Sequence, residues 1–215
     1  MGIRPQGTIG FDPPPPDVFG VGVAPSLSSL SAHGPDGGRT GLHGGGPQAA
    51  AHVTGWPRNL TWADFPEVAS APDASDENAQ IHAEITQPTN VGVVHEHGQV
   101  RISSLTVNLS VDRGDSWVVR SAKADDLLSH EQGHFDITGM MGRDMGAEIM
   151  AARASSTGDL QTAVTAIIQR YRTLAKTLND RYDTETNHGR NREAQARWDA
   201  RIRSSMQSGA RFTTP

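Results

Sequence analysis

The sequence predicts an α+β fold in which a small antiparallel sheet is followed by an antiparallel helix pair and a terminal helix. Three features indicate this class. From residue 100 to 111 apolar and polar side chains largely alternate, as in a half-buried strand. After Ser121 the apolar residues recur at helical spacing instead. Glycine and proline are concentrated before residue 60, so the core must be built from the rest of the chain.

The N-terminal part of the chain has the composition of a disordered tail. It contains four consecutive prolines, Pro13 to Pro16, and several glycine-rich stretches. Such a segment buries too little apolar surface to offset the entropy lost when it becomes ordered. We therefore predict a tail over residues 1–57, one domain over residues 58–207 and a short C-terminal tail over residues 208–215.

The predicted strands lie between the tail and Ser121. The run Q-V-R-I-S-S-L-T-V-N-L-S-V is rich in β-branched residues, and S-W-V-V follows it after the turn sequence D-R-G-D. Strands joined by such short turns are expected to pair antiparallel, with one face of the sheet exposed to water.

Three helices are predicted after the strands. The first begins at Asp125 and Asp126, whose carboxylates are favoured at a helix N-terminus, and it ends near Ala152. The second begins near Asp159, after the sequence S-S-T-G. The third is shorter and carries apolar residues four positions apart, namely Trp198, Ile202 and Met206.

The composition excludes several classes of function. The chain has no cysteine, which excludes disulfides, thiolate metal sites and cysteine nucleophiles. Its formal net charge of −5 and its interspersed acids provide no basic stripe for nucleic acid. No apolar run is long enough to span a bilayer, and no signal peptide is recognisable. We expect a soluble protein with no nucleic-acid partner and no membrane insertion, either cytoplasmic or exported by a non-classical route.

The segment L-L-S-H-E-Q-G-H-F-D contains the metal-binding pattern H-E-x-x-H. On a helix, His130 and His134 lie one turn apart on the same face, so both imidazoles can bind one ion. Glu131 lies about 100° around the helix, where it reaches a water on the ion and not the ion itself. Zinc suits imidazole ligands and lowers the pKa of its bound water to about 7. The pattern predicts a Zn²⁺ peptidase with Glu131 as general base and a peptide or protein as substrate.

The third zinc ligand is expected from the end of the second helix. Antiparallel pairing of the first two helices brings that end beside the motif. We predict His188, in the loop sequence T-N-H-G, as this ligand, with Asp183 or Glu185 as alternatives. Tyr182 points inward at the same level and is predicted to donate a hydrogen bond to the oxyanion.

Two other interpretations are compatible with the same motif. In the first, the zinc stabilises the helices of a non-catalytic binding or interaction domain. In the second, the same site hydrolyses a non-peptide amide or an ester. The sequence does not distinguish these from the peptidase.

The sequence also resembles the bacterial family known as domain of unknown function 922, which groups predicted secreted zinc-dependent proteases. The resemblance covers about residues 58–207 and rests on L-T-W-A-D-F, S-W-V, L-L-S-H-E-Q-G-H-F-D-I, Y-D-x-x-T-N-H-G and Q-x-x-W, in this order. It implies a zincin-like fold and secretion, with His130 and His134 as ligands and Glu131 as the catalytic residue. It also implies a functional role for the motif that contains His188.

The neighbourhood of the motif excludes two known classes of zinc peptidase. A metzincin would have a glycine and a further histidine where this chain has Ile137 and Met140. A gluzincin takes its third ligand from a glutamate on the next helix, but residues 159–182 contain no glutamate.

Overall fold

A computed structural model describes residues 51–72 and 76–212 of the chain. Within these ranges the chain forms eight strands and three α-helices, so the predicted α+β class is confirmed. The strands are β1 (His52–Thr54), β2 (Glu67–Val68), β3 (Ala79–Gln80), β4 (Ala83–Ile85), β5 (Thr89–Glu96), β6 (Gln99–Val111), β7 (Trp117–Val119) and β8 (Arg153–Ala154). The helices are α1 (Asp125–Ala151), α2 (Thr157–Thr186) and α3 (Arg192–Ser208).

The strands form two mixed sheets. In the larger sheet the long strand β6 pairs with β1 in parallel and with β4, β5 and β8 antiparallel. In the smaller sheet β7 lies between β2, which is parallel to it, and β3, which is antiparallel. The prediction of an antiparallel sheet is therefore wrong for β1 and β2. These strands are three and two residues long, too short to give a periodic signal in the sequence.

The folded domain extends further than the sequence predicted at its N-terminal end. β1 pairs with β6, and the indole Nε1 of Trp56 donates a hydrogen bond of 2.8 Å to Oδ1 of Asp136 in α1. The expected tail boundary at residue 57 is thus misplaced, because these few residues are ordered by long-range contacts and not by local pattern. Residues 1–50 lie outside the described range, so the tail there stays a prediction.

The C-terminal boundary also differs from the prediction. α3 ends at Ser208, but Phe212 is buried and its backbone N–H donates a hydrogen bond of 2.8 Å to Oδ2 of Asp144 in α1. Residues 209–212 therefore pack on the domain.

α1 is the central element of the fold. It packs against β6 on one side and against α2 and α3 on the other, which explains why side chains all around it are buried. Glycines let α1 pack closely on β6, since a Cβ at Gly142 or at Gly146 would lie 3.3 Å from a methyl group of Val107. The core around α1 is formed mainly by Phe135, Ile137, Met140, Met141, Met145 and Ile149.

The predicted helices agree with the observed ones. α1 begins and ends, and α2 begins, within a few residues of the expected positions, and α3 carries the expected apolar residues on its buried face. Ser156 caps α2 by accepting a hydrogen bond from the Asp159 N–H. Among the described residues, no helix is long and apolar enough to cross a membrane.

Candidate metal centre

Three buried side chains converge where α1 faces the end of α2. Nε2 of His134 lies 2.8 Å from Oδ1 of Asp183, and Nε2 of His130 lies 3.1 Å from the same oxygen. The two Nε2 atoms are 3.2 Å apart. The motif helix supplies the histidines one turn apart, and the antiparallel packing of α2 brings the carboxylate to them.

The donor set fits a zinc ion. Two imidazole nitrogens and one carboxylate oxygen form a three-ligand zinc site with a fourth position open for water. Tetrahedral ligands about 2.0–2.1 Å from an ion lie roughly 3.3 Å from one another, close to the separations observed between these atoms. All three residues are buried, and their ligand atoms lie within 4.8 Å of one another.

Hydrogen bonds behind the two imidazoles set which nitrogen faces the site. Nδ1 of His134 lies 2.8 Å from Oδ1 of Asn179. The Asn179 amide nitrogen donates to the Ala175 carbonyl and to the Thr138 hydroxyl oxygen, which fixes the orientation of the amide. Nδ1 of His134 therefore donates, and the tautomer leaves its Nε2 lone pair for an ion.

The charges in the group favour a bound cation. Burial by itself lowers the pKa of His134, but the adjacent Asp183 carboxylate raises it to about 9. Burial raises the pKa of Asp183, yet the imidazoles of His134 and His130 hold it well below its usual range. The Asp183 carboxylate is thus ionised, and its charge is balanced either by a proton on His134 or by a bound metal ion.

Glu131 is close to this group but outside it. Its Oε2 accepts a hydrogen bond of 2.9 Å from the backbone N–H of Ile81, which follows β3. Burial raises the pKa of Glu131 above its usual range. A carboxylate of raised pKa is a stronger base, and its place beside a candidate metal site suits a proton acceptor.

His188 is not part of the converging group. Its Nδ1 lies 3.2 Å from Oε1 of Glu77 and 3.6 Å from Oδ1 of Asp183, so its ring is at the rim of the site. Asn187, His188 and Gly189 all have positive φ, so the chain leaves α2 in a left-handed turn that contains this histidine. The structure therefore brings Asp183 into the group with the two motif histidines, and His188 lies beside that group.

The other predicted ligand, Glu185, is directed away from the site. Its Oε2 accepts a hydrogen bond of 2.8 Å from Nε1 of Trp198 in α3, and its Oε1 pairs with Arg181 on the same helix. Of the two carboxylates that the sequence offered as alternatives, only Asp183 reaches the histidines.

Tyr182 lies beneath the site and does not line it. Its hydroxyl donates a hydrogen bond of 3.2 Å to the backbone carbonyl of His130, and its ring stacks on the His130 ring with centroids 4.7 Å apart. The ring contacts His134 by its edge. The predicted oxyanion role is corrected by this geometry, because a hydroxyl directed at the backbone of α1 does not face a substrate.

The group opens into a cleft of about 450 Å³. One wall is the segment that contains β3, and another is the start of α1. The loop between α2 and α3, with the first residue of α3, forms the third side, where Arg190 and Arg192 lie. His130, Glu131, His134 and Asp183 all line this cleft, so a molecule in it would lie next to the candidate ligands and the buried carboxylate.

Sequence analysis did not identify the residues that orient the imidazoles. Asn179 lies within α2, and Gln195 lies in α3, where its Oε1 is 3.1 Å from Nδ1 of His130. The role of Asn179 could not be predicted, because a single asparagine within a helix belongs to no functional sequence pattern. Gln195 belongs to the Q-x-x-W sequence, which supported the family resemblance but suggested no role.

Residues 69–189, more than half of the chain, match the model of a family described as "Bacterial protein of unknown function (DUF922)". The chain belongs to this family. The segment shared with DUF922 contains the whole His-His-Asp group, Glu131 and the loop with His188. It leaves out β1 and all of α3. No curated protein and no solved structure matches the chain.

Proposed function

We propose that this DUF922 protein is a zinc-dependent peptidase in which His130, His134 and Asp183 hold one zinc ion. The observation that carries the proposal is the buried group of these three side chains, beside Glu131 and open to a cleft. The donor set is typical of catalytic zinc sites, which keep a position for water or substrate. A helix bearing this motif beside a sheet also supports a zincin-like fold.

Each residue of the site has a distinct part in the proposed reaction. Zinc bound to the three ligands supplies a Lewis acid and a water of lowered pKa. One oxygen of Glu131 is held by the Ile81 N–H, and the other is left to accept the proton of the attacking water. The proton then moves from Glu131 to the amine that leaves. Burial of Glu131 supports this role, because it raises the pKa of the carboxyl group and so makes the carboxylate a stronger base.

The cleft supports catalysis over a purely structural zinc site. A structural zinc is usually closed by four protein ligands, whereas among the described residues three side chains converge beside an accessible cavity. A buried glutamate next to the ligands, but not among them, also has no evident use in a structural site. Desolvation of the Glu131 carboxylate lowers the stability of the fold, and a catalytic role would account for such a cost.

The proposal is tested with the purified full-length protein. We expect about one zinc per chain and cleavage of peptides in a random library, with cleavage lost on chelation and restored by zinc. Glu131→Gln should keep the zinc and lower the cleavage rate by about 10²- to 10⁴-fold, because an amide cannot accept the proton. Glu193→Gln is the matched control, since Glu193 is exposed on α3 and is not among the residues that line the cleft.

Other outcomes would reject parts of the proposal. If the purified protein does not bind about one zinc per chain, the proposed metal site is rejected. Zinc binding without cleavage of any peptide would favour the non-catalytic domain. Cleavage of esters or small amides but not of peptides would assign the same machinery to another substrate.

A further inference from the structure

α3 lies outside the segment that matches the DUF922 family, yet it contributes directly to the metal centre. Its Gln195 reaches the back of the His130 ring, with Oε1 3.1 Å from Nδ1. The amide nitrogen of Gln195 lies 2.5 Å from the Tyr182 hydroxyl oxygen and 2.8 Å from Oδ1 of Asp199. One side chain therefore contacts the ligand, the tyrosine beneath it and a carboxylate one turn along α3.

Asp199 fixes the orientation of the Gln195 amide. A carboxylate only accepts hydrogen bonds, so the amide group that faces it must be the nitrogen. Tyr182 requires the same orientation, because its hydroxyl donates to the His130 carbonyl and its oxygen is left to accept. In the reversed orientation, the amide oxygen would face the Asp199 carboxylate at hydrogen-bond distance.

The fixed amide in turn sets the tautomer of His130. With the Gln195 oxygen facing Nδ1, that nitrogen must carry the hydrogen and donate it. Nε2 of His130 then presents its lone pair towards Asp183 and His134. The neutral imidazole is held in the state that a metal ligand needs, and its ring cannot rotate without loss of this hydrogen bond.

We propose that Gln195, held in orientation by Asp199, is a positioning residue that keeps His130 in its metal-binding tautomer. The same residue holds Tyr182 against the ligand from below. α3 therefore takes part in the metal centre, although it lies outside the segment that matches the family model. This inference rests on the metal site of the proposed function but not on peptide hydrolysis.

The test measures zinc affinity of the full-length protein by competition with a chromogenic chelator. Gln195→Ala should weaken zinc binding by about 10- to 100-fold, the usual effect of removing a residue that orients a ligand. Gln207→Ala is the matched control: it makes the same change on the same helix at an exposed position, and it should leave the affinity unchanged. Circular dichroism establishes that both variants keep their helices.

A charge exchange separates positioning from packing. Gln195→Glu places two carboxylates side by side at positions 195 and 199 and should also weaken zinc binding. Adding Asp199→Asn supplies an amide that can donate to the new Glu side chain, which still accepts from His130. The double variant should regain affinity to within a few-fold of wild type, and a residue that merely fills space would show no such rescue.

Nitrogen NMR of the zinc-loaded protein gives a readout independent of activity. Wild type should show His130 with a protonated Nδ1, and that proton should exchange with solvent much faster in Gln195→Ala. Unchanged zinc affinity in a folded Gln195→Ala protein would overturn the inference while leaving the proposed site intact. Failure of wild type to bind zinc would overturn both, and zinc binding without peptide cleavage would reject only the catalytic proposal.

Discussion

At the scale of single residues, the glycine inside the H-E-x-x-H motif makes room for Tyr182 of α2. Tyr182 stacks on one motif histidine and contacts the other by its edge. This arrangement needs a residue without a side chain at position 133, because a Cβ there would lie 2.2 Å from the Tyr182 hydroxyl. Gly133 thus lets α2 approach α1 closely enough for Asp183 to reach the histidines.

Gly133→Ala is expected to destabilise both the fold and the metal site. The added methyl group would force Tyr182 away from His130, and overpacking of this kind costs about 1–3 kcal/mol. Urea denaturation gives the free energy of unfolding, and chelator competition gives the zinc affinity. Gly158→Ala is the control, because the nearest heavy atom to a Cβ there is 3.9 Å away. Equal stability and affinity of Gly133→Ala and wild type would contradict this account.

A second residue-scale prediction concerns the third ligand. Asp183→Ala should lose stoichiometric zinc, since two imidazoles without the carboxylate leave the site incomplete. His188→Ala should keep zinc at one equivalent, because His188 lies at the rim beside Glu77. Metal analysis after dialysis measures both. The reverse result, with zinc lost in His188→Ala and kept in Asp183→Ala, would restore the ligand that the sequence favoured.

At the scale of elements, the metal-bearing helix is anchored on the side opposite the site. Oε1 of Gln132 accepts a hydrogen bond of 2.7 Å from the Leu60 N–H, and its amide nitrogen donates to the Arg58 carbonyl and to Asp136. Burial raises the pKa of the Asp136 carboxyl, and Trp56 and Gln132 supply its hydrogen bonds. The segment from β1 to Leu60 therefore holds α1 in place from behind.

A chain that begins at residue 58 should be less stable than one that begins at residue 51. The shorter chain lacks β1 and Trp56, which leaves part of β6 unpaired and removes a donor from a buried carboxyl. Loss of the latter hydrogen bond alone costs about 1–3 kcal/mol. Thermal and urea unfolding of the two chains measure the difference. Equal stability would show that β1 and Trp56 contribute nothing to the fold.

At the scale of the whole molecule, the apolar core extends well beyond the metal site. The core lies on both sides of α1, against β6 and against α2 and α3, whereas the site lies where the start of α1 meets the ends of α2 and β3. The metal-free protein should therefore stay folded, with helical circular dichroism retained after chelation. Unfolding on chelation would instead identify a structural zinc.

The stability of the metal-free protein should fall as pH rises from about 6.5 to about 9. The folded state raises the pKa of His134 from 6.5 to about 9, so the native protein keeps a proton that the unfolded chain releases over this range. The stabilisation is complete below pH 6.5 and is lost above pH 9, with a full amplitude on the order of 3 kcal/mol. Urea unfolding in the presence of a chelator at several pH values measures it.

The zinc-loaded protein and a histidine variant provide the controls for this pH dependence. Zinc competes with the proton for His134, so saturating zinc should remove the decline. His134→Ala should flatten it in the metal-free protein. A decline of equal size in His134→Ala would assign the titration to another group.

The sequence by itself determined the features that one segment of backbone sets. Two histidines four residues apart on a helix share a face whatever surrounds them, so the imidazole pair and the neighbouring Glu131 could be predicted. The three helices could also be predicted, because the helical spacing of apolar residues is visible in the sequence of each segment alone. The chain before residue 58 shows the limit, because β1 is too short to carry such a period.

Only the tertiary structure decided what completes the site. Asp183 was placed in the group, and His188 at its rim, by the register of α2 against α1 and by three consecutive left-handed residues after α2. That register depends on close packing at Gly133, which no local pattern reveals. The amides that orient the imidazoles come from α2 and α3, 45 and 65 residues along the chain from their partners. Such contacts form through packing between elements, and the propensity of a single segment does not encode them.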